Sequence, residues 1–158
     1  MKHINLIKLT TSILLPFLAG GIGSFATASA ISMWYATLNK PPFNPPNWIF
    51  GPVWSVLYLL MGISLYLILI QKDKSIEQRI GVMLFATQLL LNTLWSLIFF
   101  GLRNPALAFG EIIILWIFIF LTIIYFNKVN KIASFLLIPY LAWVSFAAIL
   151  NLWIMILN

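Results

Sequence analysis

Hydrophobic residues fill five long blocks of this chain, at about 9–33, 48–70, 80–101, 106–127 and 132–157, with short polar breaks between them. Each block reaches the roughly 20 residues that a helix needs to cross a hydrocarbon core. The period-two alternation of a membrane barrel strand is absent. The pattern predicts an all-α integral membrane protein, a single five-transmembrane-helix bundle over residues 1–158. Composition points the same way. The chain is 63% hydrophobic and 8% charged, against about 25% charged residues in a soluble domain.

Polar residues inside the blocks are few, and their placement is informative. The third block carries Gln88, Asn92 and Ser96 at steps of four, a single stripe on one helix face. Amides facing lipid would be costly, so the stripe is expected to face the interior. Interhelical hydrogen bonding and ligand contact are both open for it. Asn92 and Ser96 suit ligand contact, and the deeper Gln88 suits structural bonding. Glu111 is the one acid expected within a membrane segment. It is a candidate for lining a site, for structural bonding, or for pairing with Arg103. Pro139 falls inside the fifth block and predicts a kink.

The first block needs a decision of its own. A basic start, an apolar run and Ala26–Ala30 resemble a secretory leader with a small-residue cleavage site. The run is long for that and is interrupted by Pro16, Gly20, Gly21 and Gly23. Small residues at Gly20, Ser24 and Ala28 suit close helix packing, so a retained first helix is expected.

Charge sets the topology. Of the nine Lys and Arg residues, Lys2, Lys8, Lys72, Lys74, Arg79, Lys128 and Lys131 share one face of the predicted bundle. Lys40 and Arg103 are left on the other. The positive-inside bias puts the N-terminus in the cytoplasm. The prokaryotic cytoplasmic membrane is the expected location, with the lipid bilayer itself as a partner. No basic patch exceeds a loop, so nucleic acid is not an expected partner. The chain has no cysteine, and its one histidine, His3, lies in the N-terminal tail. Thiolate sites, an intramembrane histidine ligand and triad chemistry are therefore excluded, and no metal site or conventional catalytic residue is expected.

The break between the first two blocks is unlike an ordinary connector. From Trp34 to Tyr58 it is aromatic, nearly uncharged and stiffened by Pro41, Pro42, Pro45, Pro46 and Pro52. The prolines bias residues 40–46 toward a polyproline-like path. Such a segment suits covering something, and a lid is expected over residues 34–47. Depth supports a site beneath it. Trp54, Asn92, Ser96 and Ala147 each fall within roughly ten residues, about 15 Å, of the outer helix ends. Trp34, Trp48 and Trp153 lie near the boundary, where anchoring is expected. Trp54 and Trp143 lie deeper, where an indole N–H needs a partner and a flat face can stack on a planar ligand. Trp95 adjoins the polar stripe, and Trp116 is expected to pack.

These residues resemble the signature of the tryptophan-rich sensory protein family, also called translocator protein or peripheral benzodiazepine receptor (TspO/MBR). The first matching group is Trp34-Tyr35, Leu38, Lys40-Pro41, Pro45-Pro46, Phe50, Val53-Trp54 and Leu57-Tyr58. Asn92, Trp95-Ser96 and Phe99-Phe100-Gly101 form the second. Pro139-Tyr140, Trp143, Phe146-Ala147 and Leu150-Asn151 form the third.

The resemblance implies five transmembrane helices, a homodimer, and a cavity under the first loop for tetrapyrroles such as protoporphyrin and haem. These are ligands, and no cofactor is required. It implies a ligand-binding set of Tyr35, Pro45, Trp54, Tyr58, Asn92, Trp95, Ser96, Phe99, Glu111, Trp143 and Ala147. It also implies possible photochemical roles for Trp54 and Trp143 in light-dependent porphyrin breakdown. A sterol-associated motif that animal members carry at the end of the fifth helix is absent here. That region reads Leu150-Asn151-Leu152-Trp153, with no basic residue after Lys131. Three functions remain: a tetrapyrrole-binding sensor or scavenger, a carrier of porphyrins or other amphipathic molecules, and a structural or regulatory subunit.

Overall fold

The computed structural model describes residues 5–72 and 74–158. Lys2 and His3, which entered the topology and ligand arguments, lie outside the described residues.

The chain forms α1 (Leu6–Ser32), a single turn α2 (Trp34–Thr37), α3 (Asn47–Leu69), α4 (Ile76–Ser96) and α5 (Pro105–Val129), then a short α6 (Lys131–Phe135) and α7 (Ile138–Leu157). Among the described residues five spans are long and apolar enough to cross a membrane; the third, Ile76–Gly101, joins α4 to the turn that follows it, and the fifth, Lys131–Leu157, joins α6 to α7. Helix starts follow capping chemistry. The side chains of Asn5, Ser75, Asn104 and Asn130 accept hydrogen bonds from the backbone N–H of Lys8, Gln78, Leu107 and Ala133. The third span begins four residues before the expected position 80, because its polar first turn is held by the Ser75 cap and not by hydropathy.

Three further departures from the expected pattern are local. α4 passes into a π-helical turn over Leu97–Gly101, closed by Leu102 N–H donating to the Leu97 carbonyl at 2.8 Å. The fifth block is interrupted at Leu136–Leu137, and Pro139 sits in the first turn of α7 instead of kinking a continuous helix. There its missing N–H costs nothing. Residues 40–46 do not hold one polyproline path. Asn44 N–H donates to the Pro41 carbonyl at 3.0 Å and closes a turn.

The main core lies between α3, α4, α5 and α7 and includes Met61, Phe85, Ile112, Leu115 and Ile119, all essentially inaccessible. Polar ties cross it. Ser64 Oγ donates to the Ala133 carbonyl at 2.7 Å, and Gln78 Nε2 to the Ile68 carbonyl at 2.6 Å. Large apolar side chains such as Ile7, Phe25 and Leu90 cover the outside, as a bundle solvated by lipid requires.

α1 is held differently along its length. Near its start it lies against α3, where a Cβ added at Gly62 would fall 2.7 Å from Ile13 Cα. Farther on it leans on α4, with Thr93 Oγ1 donating to the Ala19 carbonyl at 3.1 Å. Ser24 and Ala28 are exposed, so the Gly20/Ser24/Ala28 stripe does not serve as a helix-packing seam along its whole length.

Candidate functional site: an aromatic cavity beneath the first connection

A cavity of about 490 Å³ opens in the half of the bundle covered by the α1–α3 connection, within the range of small-molecule sites. α1 contributes its small residues and Phe17. α3 contributes Phe50, Trp54 and Tyr58, the end of α4 Trp95, Ser96, Phe99 and Phe100, and α7 Trp143, Phe146 and Ala147. No Asp, Glu, Lys, Arg or His is among the lining residues.

The π-helical turn explains part of this wall. It sets Phe99 stacked on Trp95 at 5.1 Å and edge-on to Phe100 at 4.8 Å, and all three reach the cavity. No apolar-periodicity signal marks such a turn, since Leu97–Gly101 reads as ordinary helix. On the opposite side Trp54 stacks on Tyr58 at 5.3 Å, and Phe50 meets Trp143 at 6.0 Å.

The connection forms the roof. Tyr35 is buried, packs on Phe99 and Phe100, and donates its hydroxyl to Asn44 Oδ1 at 2.6 Å. Burial pushes its phenol up to about 12, against a smaller opposing pull from the Asn44 bond. Lys40 Nζ lies over the Tyr35 ring at 4.8 Å and donates to the Leu38 carbonyl at 3.1 Å. Asn39 N–H donates to Asn158 Oδ1 at 2.9 Å while Asn158 Nδ2 donates to the Asn39 carbonyl at 3.0 Å. Phe43 packs edge-on against Phe146 and Trp153 of α7.

Eight of the eleven expected site residues line this cavity: Tyr35, Trp54, Tyr58, Trp95, Ser96, Phe99, Trp143 and Ala147. Pro45, Asn92 and Glu111 are not on its wall. Asn92 stands one layer behind. Its Oδ1 accepts from the Tyr58 hydroxyl and its Nδ2 donates to the Tyr140 hydroxyl, both at 3.1 Å. Pro45 acts through its carbonyl, which accepts from Asn44 Nδ2 at 3.0 Å. Glu111 is buried, and neither carboxylate oxygen has a partner among the described residues, so the expected pairing with Arg103 is not formed. Gln88 is likewise buried with both amide atoms unpaired, against the structural bonding expected for it.

The other tryptophans divide. Trp48 is 73% exposed, as an interfacial anchor would be, but Trp34 is half-buried edge-on to Phe99 at 5.6 Å. Trp116 donates to Ser145 Oγ at 2.8 Å away from the cavity. Trp95 Nε1 donates to Asn151 Oδ1 at 3.1 Å, and Asn151 Nδ2 to the Pro105 carbonyl at 2.7 Å. Asn151 was not expected in the site. Its signal was present, since a lone amide deep in an apolar helix needs partners.

This arrangement of three tryptophan-bearing helices around a roofed pocket has close sequence relatives. Residues 12–157 match the TspO/MBR family. The chain belongs to that family. It is 49% identical over 139 residues to "Tryptophan-rich protein TspO" of Chlorobaculum tepidum, covering 88% of each chain. It is 48% identical over 154 residues to the protein of the same name from Archaeoglobus fulgidus, covering 98% of this chain and 99% of that one. It is also 39% identical over 139 residues to "Translocator protein" of Bos taurus, covering 87% and 82%. Family membership and the five apolar spans make it an integral membrane protein of the sensor and translocator group.

Proposed function

We propose that the cavity binds a tetrapyrrole and that the protein acts as a membrane sensor or scavenger of it. The observation that carries this reading is the wall itself. Trp54, Trp95 and Trp143 with Phe50, Phe99 and Phe100 surround about 490 Å³ without a charged side chain. Aromatic faces at that density favour a flat, polarisable, largely apolar ligand. The donor set favours a metal-free macrocycle over haem. His, Cys and Met are absent from the lining. An axial His, Cys or Met ligand for haem iron is therefore not on offer. The orientation supporting this reading has the basic end, with Lys8, Lys72, Arg79 and Lys131, in the cytoplasm and the cavity in the outer half.

Titration of the purified protein with protoporphyrin, read by quenching of tryptophan emission, tests binding. Saturable quenching that weakens in Trp54→Phe and Trp143→Phe is the expected result. Quenching that is linear and identical in free tryptophan would dismiss the reading. Light-dependent breakdown is a second layer. The bound porphyrin absorbs, dioxygen is the oxidant, and Trp54 and Trp143 are the oxidisable groups beside it. Illumination should then bleach protoporphyrin faster with protein than without. Counterflow in proteoliposomes separates a carrier from a sensor.

A further inference from the structure

The cavity wall is incomplete on one side. α1 and α3 approach closely near Gly62 and again where Gly20 abuts the Tyr58 ring. Past that point α1 follows α4 instead. A Cβ at Gly23 would sit 3.0 Å from Ser96 Oγ, and one at Gly101 would sit 3.7 Å from Ala26 Cβ. With α1 committed to α4, its separation from the start of α3 is left unfilled.

The residues at that gap have a double character. Gly21, Ser24 and Ala28 of α1 and Gly51 and Ser55 of α3 line the cavity, and all are exposed. A Cβ built at Gly21 or Gly51 meets nothing within 4 Å. Exposed wall residues on two facing helices, with open space beside both glycines, mark a mouth. Along α1 the mouth lies about 6–16 Å below the helix end at Ser32, at 1.5 Å per residue, so it opens into hydrocarbon and not into water.

The mouth is chemically quiet. Ser24 Oγ donates to the Gly21 carbonyl at 2.6 Å, and Ser55 Oγ to the Gly51 carbonyl at 2.9 Å. Both hydroxyls are turned back on their own helices, and no charge lies on the rim. The roof is closed in comparison. Opening it would break the paired Asn39–Asn158 bonds and lift Phe43 off Phe146 and Trp153.

We propose that ligand reaches the cavity sideways from the bilayer through the α1–α3 slot, and that the slot selects flat, lipid-dissolved molecules able to pass edge-on between Gly21 and Gly51. The identity of the probe used below rests on the tetrapyrrole reading, but the slot itself can be tested without it. Gly21→Phe and Gly51→Phe each start from a Cβ that meets nothing within 4 Å, so the fold should survive. In nanodiscs, association and release of protoporphyrin should both slow by about 10-fold or more in either variant. Asn158→Ala, which removes the side chain that makes both bonds to the Asn39 backbone and so loosens the roof, should leave both rates as they were. Unchanged rates in both phenylalanine variants, or faster uptake in Asn158→Ala, would overturn the slot as the route.

A ligand-independent measurement uses the absence of cysteine. Single spin labels at Ser24→Cys and Ser55→Cys should relax readily with dissolved oxygen and poorly with a water-soluble nickel chelate. Strong nickel access at both positions would mean a water-filled mouth and refute a bilayer route. Lack of protoporphyrin binding by the unaltered protein would instead count against the proposed function, leaving the label result to decide the slot.

Discussion

Replacing Asn92 by alanine tests whether the amide behind the cavity holds the aromatic wall in register. Its side chain joins three helices, accepting from Tyr58 of α3 and donating to Tyr140 of α7, each at 3.1 Å. Interhelical hydrogen bonds in membranes average about 0.6 kcal/mol and reach about 1.7. A buried hydroxyl left without its acceptor adds roughly 1–3 kcal/mol. For two bonds at near-typical geometry, a loss of about 2 kcal/mol is expected, which lowers Tm by roughly 4–8 °C in a chain of this size. Thermal unfolding in one fixed detergent measures it. Tyr58→Phe alone removes one bond, and the double variant should show coupling of about 1 kcal/mol. Ligand titration adds a second axis. Because Tyr58 stacks under Trp54, Asn92→Ala and Tyr58→Phe should weaken quenching to a similar extent. Additive stabilities would refute the bridge. A large affinity loss in Asn92→Ala without one in Tyr58→Phe would mean that Asn92 touches ligand directly.

Gly62→Ala should destabilise by about 1–3 kcal/mol, since its Cβ would meet the Ile13 backbone; Gly110→Ala, with open space around it, should stabilise by up to about 1 kcal/mol, both read by the same melting assay. Tyr35 predicts an alkaline transition. Its pKa is raised from 10.0 to about 12, so the neutral phenol favours the folded roof, fully so below pH 10 and progressively less as pH rises toward 12. Tyrosinate absorbance should carry a component near pH 12, and Tyr35→Phe should remove that component. Asn151→Leu strands both the Trp95 indole and the Pro105 carbonyl, a cost of roughly 2 kcal/mol, and should shift tryptophan emission.

Much of the site was legible in the sequence because depth and residue type are both one-dimensional. Trp54, Ser96 and Ala147 each lie within about ten residues of a helix end, so a topology drawn from Lys and Arg alone brings them to one level. Asn92 shows the limit. Helical spacing put it on the inner face with Ser96, but whether an inward amide meets a cavity or two tyrosines depends on neighbours from α3 and α7. Glu111 failed for the same reason. Its position suggested ligand, structural bonding or Arg103, and the packing of α5 instead buries it without a partner among the described residues.

Hydropathy along the chain determined that five helices cross a membrane, and the basic residues determined how their ends divide between two faces. The aromatic and proline content of residues 34–58 marked where a covered site would lie. These follow from transfer of side chains between water and hydrocarbon, which each residue expresses on its own. The tertiary structure decided what no single residue carries. It ended α4 in a π-helical turn, started α7 at Pro139, and tied the roof to Asn158. It also leaned α1 on α4, opening the cavity toward α3. Each depends on which surfaces meet across helices, and a close approach at Gly62 or Gly23 has no signature beyond the glycine itself.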